Sequence, residues 1–134
     1  MKKIFTLILL MPLFCKAQFF VYGGGTYSFN NEKGGSIGIG NKKGSGSGGI
    51  AAYYSEVNKL SVHADLHYFI DSSKNAFLFF QPGWALIENG QLSLKTGAGI
   101  MAKSTGLYFH AGYGLLIISR QKYHSGFVKL GIKI

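Results

Sequence analysis

His63, Asp65 and His67 stand two residues apart in the stretch LSVHADLHYFI (Leu60–Ile70). Imidazole and carboxylate groups so spaced are the kind that hold divalent metals. In an extended chain, residues i, i+2 and i+4 share one face but lie about 7 Å apart, so the three meet a single ion only with help from elsewhere. A plainer chemistry is a buried charge finding its partner. In that reading Asp65 pairs with a lysine such as Lys95 or Lys129, while His63, His67 and His110 fill the surrounding space. We read these six residues as a polar network and assign no metal, no cofactor and no catalytic residue. Ser61, His63, Asp65, His110 and His124 also supply the residue types of a serine hydrolase, but no motif fixes their geometry. The tract Gly44–Gly49 lacks the GxxxxGK[ST] pattern of a phosphate loop and reads as a turn.

The elements that must position these groups are strands. Ser61, His63, Asp65 and His67 alternate with Val62, Ala64, Leu66 and Tyr68, the period of a two-faced extended chain. Eight such segments recur: Phe19–Phe29, Gly35–Gly40, Gly49–Val57, Leu60–Ile70, Ala76–Ile87, Gln91–Ala102, Leu107–Ser119 and Gly126–Ile134. Between them lie polar or glycine-bearing breaks, among them Asn41–Gly48, Asp71–Asn75, Glu88-Asn89-Gly90, Lys103–Thr105 and Arg120–Ser125. Asn89-Gly90 is the sharpest hairpin signal, since both residues tolerate positive φ. Pro82 cannot donate to a ladder, so a bulge and a slip of phase are expected in the fifth segment. Eight hairpin-linked strands can close into an all-β, antiparallel up-and-down barrel, which removes the edges of an open sheet.

Residues 1–17 have the three parts of a secretory signal: Lys2 and Lys3, an apolar run from Ile4 to Phe14, and a cleavage site at Cys15-Lys16-Ala17. That run is too short to span a bilayer, which takes about 20 apolar residues. Cys15 follows the bulky Phe14, against lipidation, and leaves with the signal. The expected product is one barrel domain over residues 18–134, without cysteine. It carries eleven basic residues against five acidic, a net charge of about +6 with histidines neutral. Export argues against nucleic acid as the partner and for an anionic lipid surface. Sixteen charged residues in 117 fall well short of the quarter expected of an ordinary soluble domain. That shortfall suits a wall facing lipid.

Period two alone does not say which face is inside. Glycines tip the balance, since Gly97, Gly99, Gly112, Gly114 and Gly131 cluster on the polar faces, where small residues relieve crowding inside eight strands. Phe19, Phe20, Tyr68, Phe69 and Tyr123, near segment ends, suit aromatic girdles at the two membrane interfaces.

With its export signal, alternating segments and glycine–aromatic repeats such as YFHAGYG (Tyr108–Gly114) and QPGWALI (Gln81–Ile87), the chain resembles the small outer-membrane β-barrels of Gram-negative bacteria, the class of outer membrane proteins X and A. The resemblance covers residues 18–134 and implies an outer-membrane location, contact with outer-membrane lipid or lipopolysaccharide, and insertion by the outer-membrane assembly machinery. It departs at the end: the family's last strand usually finishes on an aromatic residue, whereas this one ends GIKI, with Val128, Leu130 and Ile132 keeping the alternation. The long extracellular loops of partner-binding members are also missing. The expected role is structural or surface-related, a very narrow polar conduit being one form of it, with a packed polar lumen and no catalysis. Two alternatives stay open: a soluble periplasmic or secreted barrel holding a small apolar ligand, and a membrane-embedded lipid-modifying hydrolase.

Overall fold

The computed structural model describes residues 18–28, 33–56, 59–86 and 90–134; the signal-like segment 1–17 lies outside them. Among the described residues every element is a strand: β1 (Gln18–Ser28), β2 (Lys33–Lys43), β3 (Gly46–Ser55), β4 (Lys59–Phe69), β5 (Ala76–Ala85), β6 (Leu92–Ser104), β7 (Leu107–Ile118) and β8 (Gln121–Lys133). Each pairs antiparallel with its sequence neighbour, and β8 returns to β1 to close the barrel. Gln18 and Ile134 therefore lie at one mouth, called here the terminal end.

The register sets the shape. Gln18 pairs with Lys42, then the path runs through Ser47, His67, Phe79, Gly97, Gly114 and Ser125 before returning to β1 at Ser28. One circuit thus climbs from Gln18 to Ser28, a stagger of ten residues. With strands about 4.8 Å apart and a rise of about 3.3 Å per residue, that stagger tilts the strands by roughly 40°. An eleven-residue strand then spans about 27 Å along the axis, against an apolar membrane band of about 25 Å.

Pro82 neither bulges nor slips β5. The β4–β5 ladder skips Ala64 and Asp65 and resumes in the same register, His63 opposite Gly83 and Leu66 opposite Phe80. The proline faces outward and simply leaves a gap in the hydrogen bonding. Several expected breaks are also strand. Asn41–Lys43 and Gly46–Gly48 belong to β2 and β3, leaving Gly44-Ser45 as the turn, with Gly44 at φ +59°. Gln121–Ser125 belongs to β8, and the turn is Ser119-Arg120, with φ of +46° and +67°. Positive φ at both central residues is what a tight type I′ hairpin turn demands. Gly90 has φ +61°, as its turn role requires, while residues 87–89 lie outside the described set.

The alternation sorts the wall into two faces. Outward stand Ile37, Ile39, Ile50, Leu66, Tyr68, Trp84, Leu92, Ile100, Leu130 and Ile132, all exposed. Inward, near the terminal end, lies an aromatic core: Phe20, Tyr22, Phe69, Phe77, Phe79, Tyr108 and Phe127, with Met101. Phe20 and Phe69 thus fill the lumen instead of girdling the outside, because they fall in the inward series. Tyr123 also belongs to that series, at the far rim, where its hydroxyl donates to Gln121. Tyr68 does face out.

Glycine makes room for the aromatic core. Phe20 stands opposite Gly40, Tyr22 opposite Gly38, Phe77 opposite Gly99, Phe79 opposite Gly97 and Phe127 opposite Gly112. Each ring leans over its bare neighbour. A Cβ on Gly38 would come within 2.6 Å of the Tyr22 ring, and one on Gly112 within 2.5 Å of the Phe127 ring. The lumen is therefore polar in one half and aromatic in the other.

Candidate functional site

All six residues of the expected polar network point inward, but they divide between the two halves. At the centre, Asp65 on β4 reaches Lys129 on β8, four strands away and so across the bore, at 2.7 Å. The same carboxylate oxygen accepts the Tyr22 hydroxyl at 2.5 Å. Charge-assisted bonds of this kind are about twice as strong as neutral ones. Both members of the pair are buried, and the Lys129 ammonium also lies 5.0 Å from the centres of the Tyr22 and Phe127 rings. Lys95 approaches Phe127 at the same distance.

His67 and His110 belong to the aromatic half. His67 stacks on Phe77 with centroids 4.6 Å apart, and His110 meets His67 edge-on at 5.5 Å. His63 lies in the other half, bonded through Nε2 to Ser61 Oγ at 2.9 Å and packed edge-on against Tyr53. His63, Asp65 and His67 therefore look to three different neighbours, and among the described residues no cluster of histidine, cysteine and carboxylate is set to hold a metal.

Of the five groups that could have built a hydrolase, only Ser61 and His63 come together. Asp65 is engaged by Lys129 and Tyr22, His110 sits among the rings, and His124 lies outside, stacked on Tyr113. Ser61 is itself buried within the wall. The carboxylate nearest the Ser61–His63 pair on the same strand face, Asp65, is thus bonded to other partners.

Beyond Asp65, away from the terminal end, the lumen opens into a small chamber. Every strand contributes to its wall: Thr26, Ser36, Ala51 with Tyr53, His63 with Asp65, Gln81, Ser93 with Lys95, Leu116 and Lys129. About 30 Å³ is open to the centres of water-sized molecules, where one water needs roughly 10–15 Å³. Gln81 Nε2 and Ser36 Oγ, both on this wall, are buried without a hydrogen-bond partner. Sequence reasoning missed Gln81, Ser36 and the aromatic core. The available signal was the set of inward glycines, which mark where a neighbouring ring must lie.

No protein-family description matches the chain, and no curated protein resembles it in sequence. Its fold does have solved counterparts. A barrel from the de novo design of transmembrane β-barrels superposes with a TM-score of 0.61 over 87% of this chain and 95% of that one, at 13% identity. The S-type phycobiliprotein lyase CPES from Guillardia theta overlaps loosely, with a TM-score of 0.42 over 94% and 92% of the two chains at 7% identity. By fold, then, the chain is a closed eight-stranded antiparallel barrel, an architecture it shares with a designed membrane-crossing barrel.

Proposed function

We propose that the chain is a small outer-membrane β-barrel with a structural or surface role and no catalytic activity. One observation carries this reading: the outer wall is an apolar belt on every strand. Val21, Ile37, Ile50, Leu66, Phe80, Ile100, Phe109 and Leu130, one from each strand, face outward round the barrel. Among the described strand residues, outward charges come only at strand ends, at Lys33, Lys43 and Lys122. A soluble monomer rarely exposes an apolar patch beyond a few hundred Å², whereas a bilayer requires one.

Outward aromatics support the same placement. Tyr27, Tyr54 and Trp84 lie toward the far end, and Tyr68 toward the terminal end. The apolar faces of β4, β6 and β8 point away from the lumen, which removes the apolar cavity that a soluble ligand carrier would need. Plugged by Phe20, Phe69, Phe77 and Tyr108, the lumen is no open pore. The partners are outer-membrane lipid or lipopolysaccharide around the belt and the outer-membrane assembly machinery during insertion.

Cell fractionation with electrophoresis of unboiled and boiled samples tests this. We expect recovery with outer membranes and faster migration of the folded form. A wholly soluble protein with no mobility shift would overturn the proposal.

A further inference from the structure

We propose that the mouth of the lumen at the terminal end binds a phosphate group, either free or carried by the headgroup of a surrounding anionic lipid. Lys42, Lys43, Lys74, Lys103 and Lys133 gather at that end, where Asp71 is the one acidic side chain among the described residues. Lys42, Lys103 and Lys133 fall in the inward series, opposite Gln18, Tyr108 and Phe20 in their ladders. Strands β2 and β6 stand four apart, so Lys42 and Lys103 approach from opposite walls, and their side chains come close enough to interact directly. Lys42 Nζ lies over the Phe69 ring, 4.3 Å from its centre, and Lys103 Nζ donates to the Ser73 carbonyl at 3.4 Å. Lys74, held in the β4–β5 turn at φ +56°, adds a third charge within electrostatic reach of Lys42.

Ammonium groups only donate, so two drawn together repel and satisfy nothing in each other. Asp71 acts on both Lys42 and Lys103 through its charge, but its oxygens already accept the Asn75 and Ala76 amides. Among the described residues no carboxylate forms an ion pair with Lys42, Lys74 or Lys103. Three ammonium groups against one carboxylate leave this part of the rim positive. A phosphate group supplies what the rim lacks: negative charge, and several acceptor oxygens that bridge cations from different strands. Phe20, Phe69 and Tyr108 close the lumen beneath, so the ligand stops at the mouth. The lipid source rests on the membrane reading above, under which this rim lies at the headgroup layer; the site itself does not.

Two probes separate the sources. The barrel refolded in an uncharged detergent is titrated with inorganic phosphate against chloride at matched ionic strength, and the barrel refolded into phosphatidylcholine vesicles is compared with and without phosphatidylglycerol. A saturable rise of the unfolding temperature with inorganic phosphate identifies free phosphate as a ligand, and a rise with phosphatidylglycerol alone identifies the lipid. Lys42→Gln combined with Lys103→Gln should weaken the response by about tenfold or more, the worth of one or two hydrogen bonds to charged groups. Lys33→Gln combined with Lys122→Gln, at the far rim, should leave it intact. Without either probe, Lys103→Gln alone should raise the unfolding temperature at low salt, because it relieves the crowding of Lys42. An unaltered chain indifferent to both probes would overturn the proposal, as would equal losses in the two double variants or a lower unfolding temperature for Lys103→Gln. The arms with the unaltered chain do not depend on any variant folding, and the detergent arm does not depend on where the barrel resides.

Discussion

Two kinds of residue hold the lumen, a charge pair and a set of glycines, and they make opposite demands. The Asp65–Lys129 pair tolerates loss of both members better than loss of one. Removing one partner of a buried pair leaves an uncompensated charge, which costs about 3–5 kcal/mol, whereas an apolar replacement of both is often near neutral. Lys129→Met should therefore destabilise the refolded barrel by that amount in urea titrations, and Asp65→Leu combined with Lys129→Met should recover most of it. Equal losses in the single and double variants would contradict the pairing. The glycines are limited by volume. At Gly112 the atoms nearest an added Cβ belong to the Phe127 and Phe79 rings, so Gly112→Ala should cost about 1–3 kcal/mol, as overpacking does. Phe127→Leu in the same chain should relieve it, and failure to do so would place the conflict elsewhere.

At the scale of elements, the turns are tighter than the sequence suggests. Asn41–Lys43 and Gln121–Ser125 look like loop because they are polar, yet they are strand ends. A strand that leaves an apolar layer becomes polar before it turns, so composition marks the layer's edge and not the hairpin. The aromatic core was hidden for a related reason. In Phe19–Tyr22 and Ala76–Phe80 both faces are apolar, which erases the period of two, and only the register shows that the inward rings face glycines. Elsewhere, as in β4, β6 and β8, alternation and polar-face glycines made the inside and outside readable from residues alone.

Two of these turns give predictions. Ser119-Arg120 adopts positive φ without glycine. Arg120→Gly should therefore stabilise the barrel by a few tenths to about 1 kcal/mol, the left-handed strain less the added freedom of the unfolded chain; a destabilised variant in urea titration would contradict the turn geometry. In the β4–β5 turn, Asp71 accepts from the Ala76 and Asn75 amides at 2.8 Å each, and these bonds hold its carboxyl below the usual carboxylate range. A depressed folded value means the turn is fully supported above pH about 4. That support is lost as pH falls through the lower, folded value. Exchange of the Asn75 and Ala76 amides, corrected for intrinsic rates, should accelerate over that acid range in the native chain and show no such step in Asp71→Asn.

For the whole molecule, the claim is that lipid is the solvent for the outer wall. The single tryptophan, Trp84, reports on it directly, since its side chain faces outward and is 56% exposed. Refolding the chain into vesicles whose acyl chains carry bromine, with matched vesicles lacking it, places a quencher where the belt should lie. We predict a blue-shifted Trp84 emission that brominated chains quench strongly and aqueous iodide quenches little. Emission at the wavelength of a water-exposed indole, quenched by iodide and indifferent to the brominated lipid, would contradict the account.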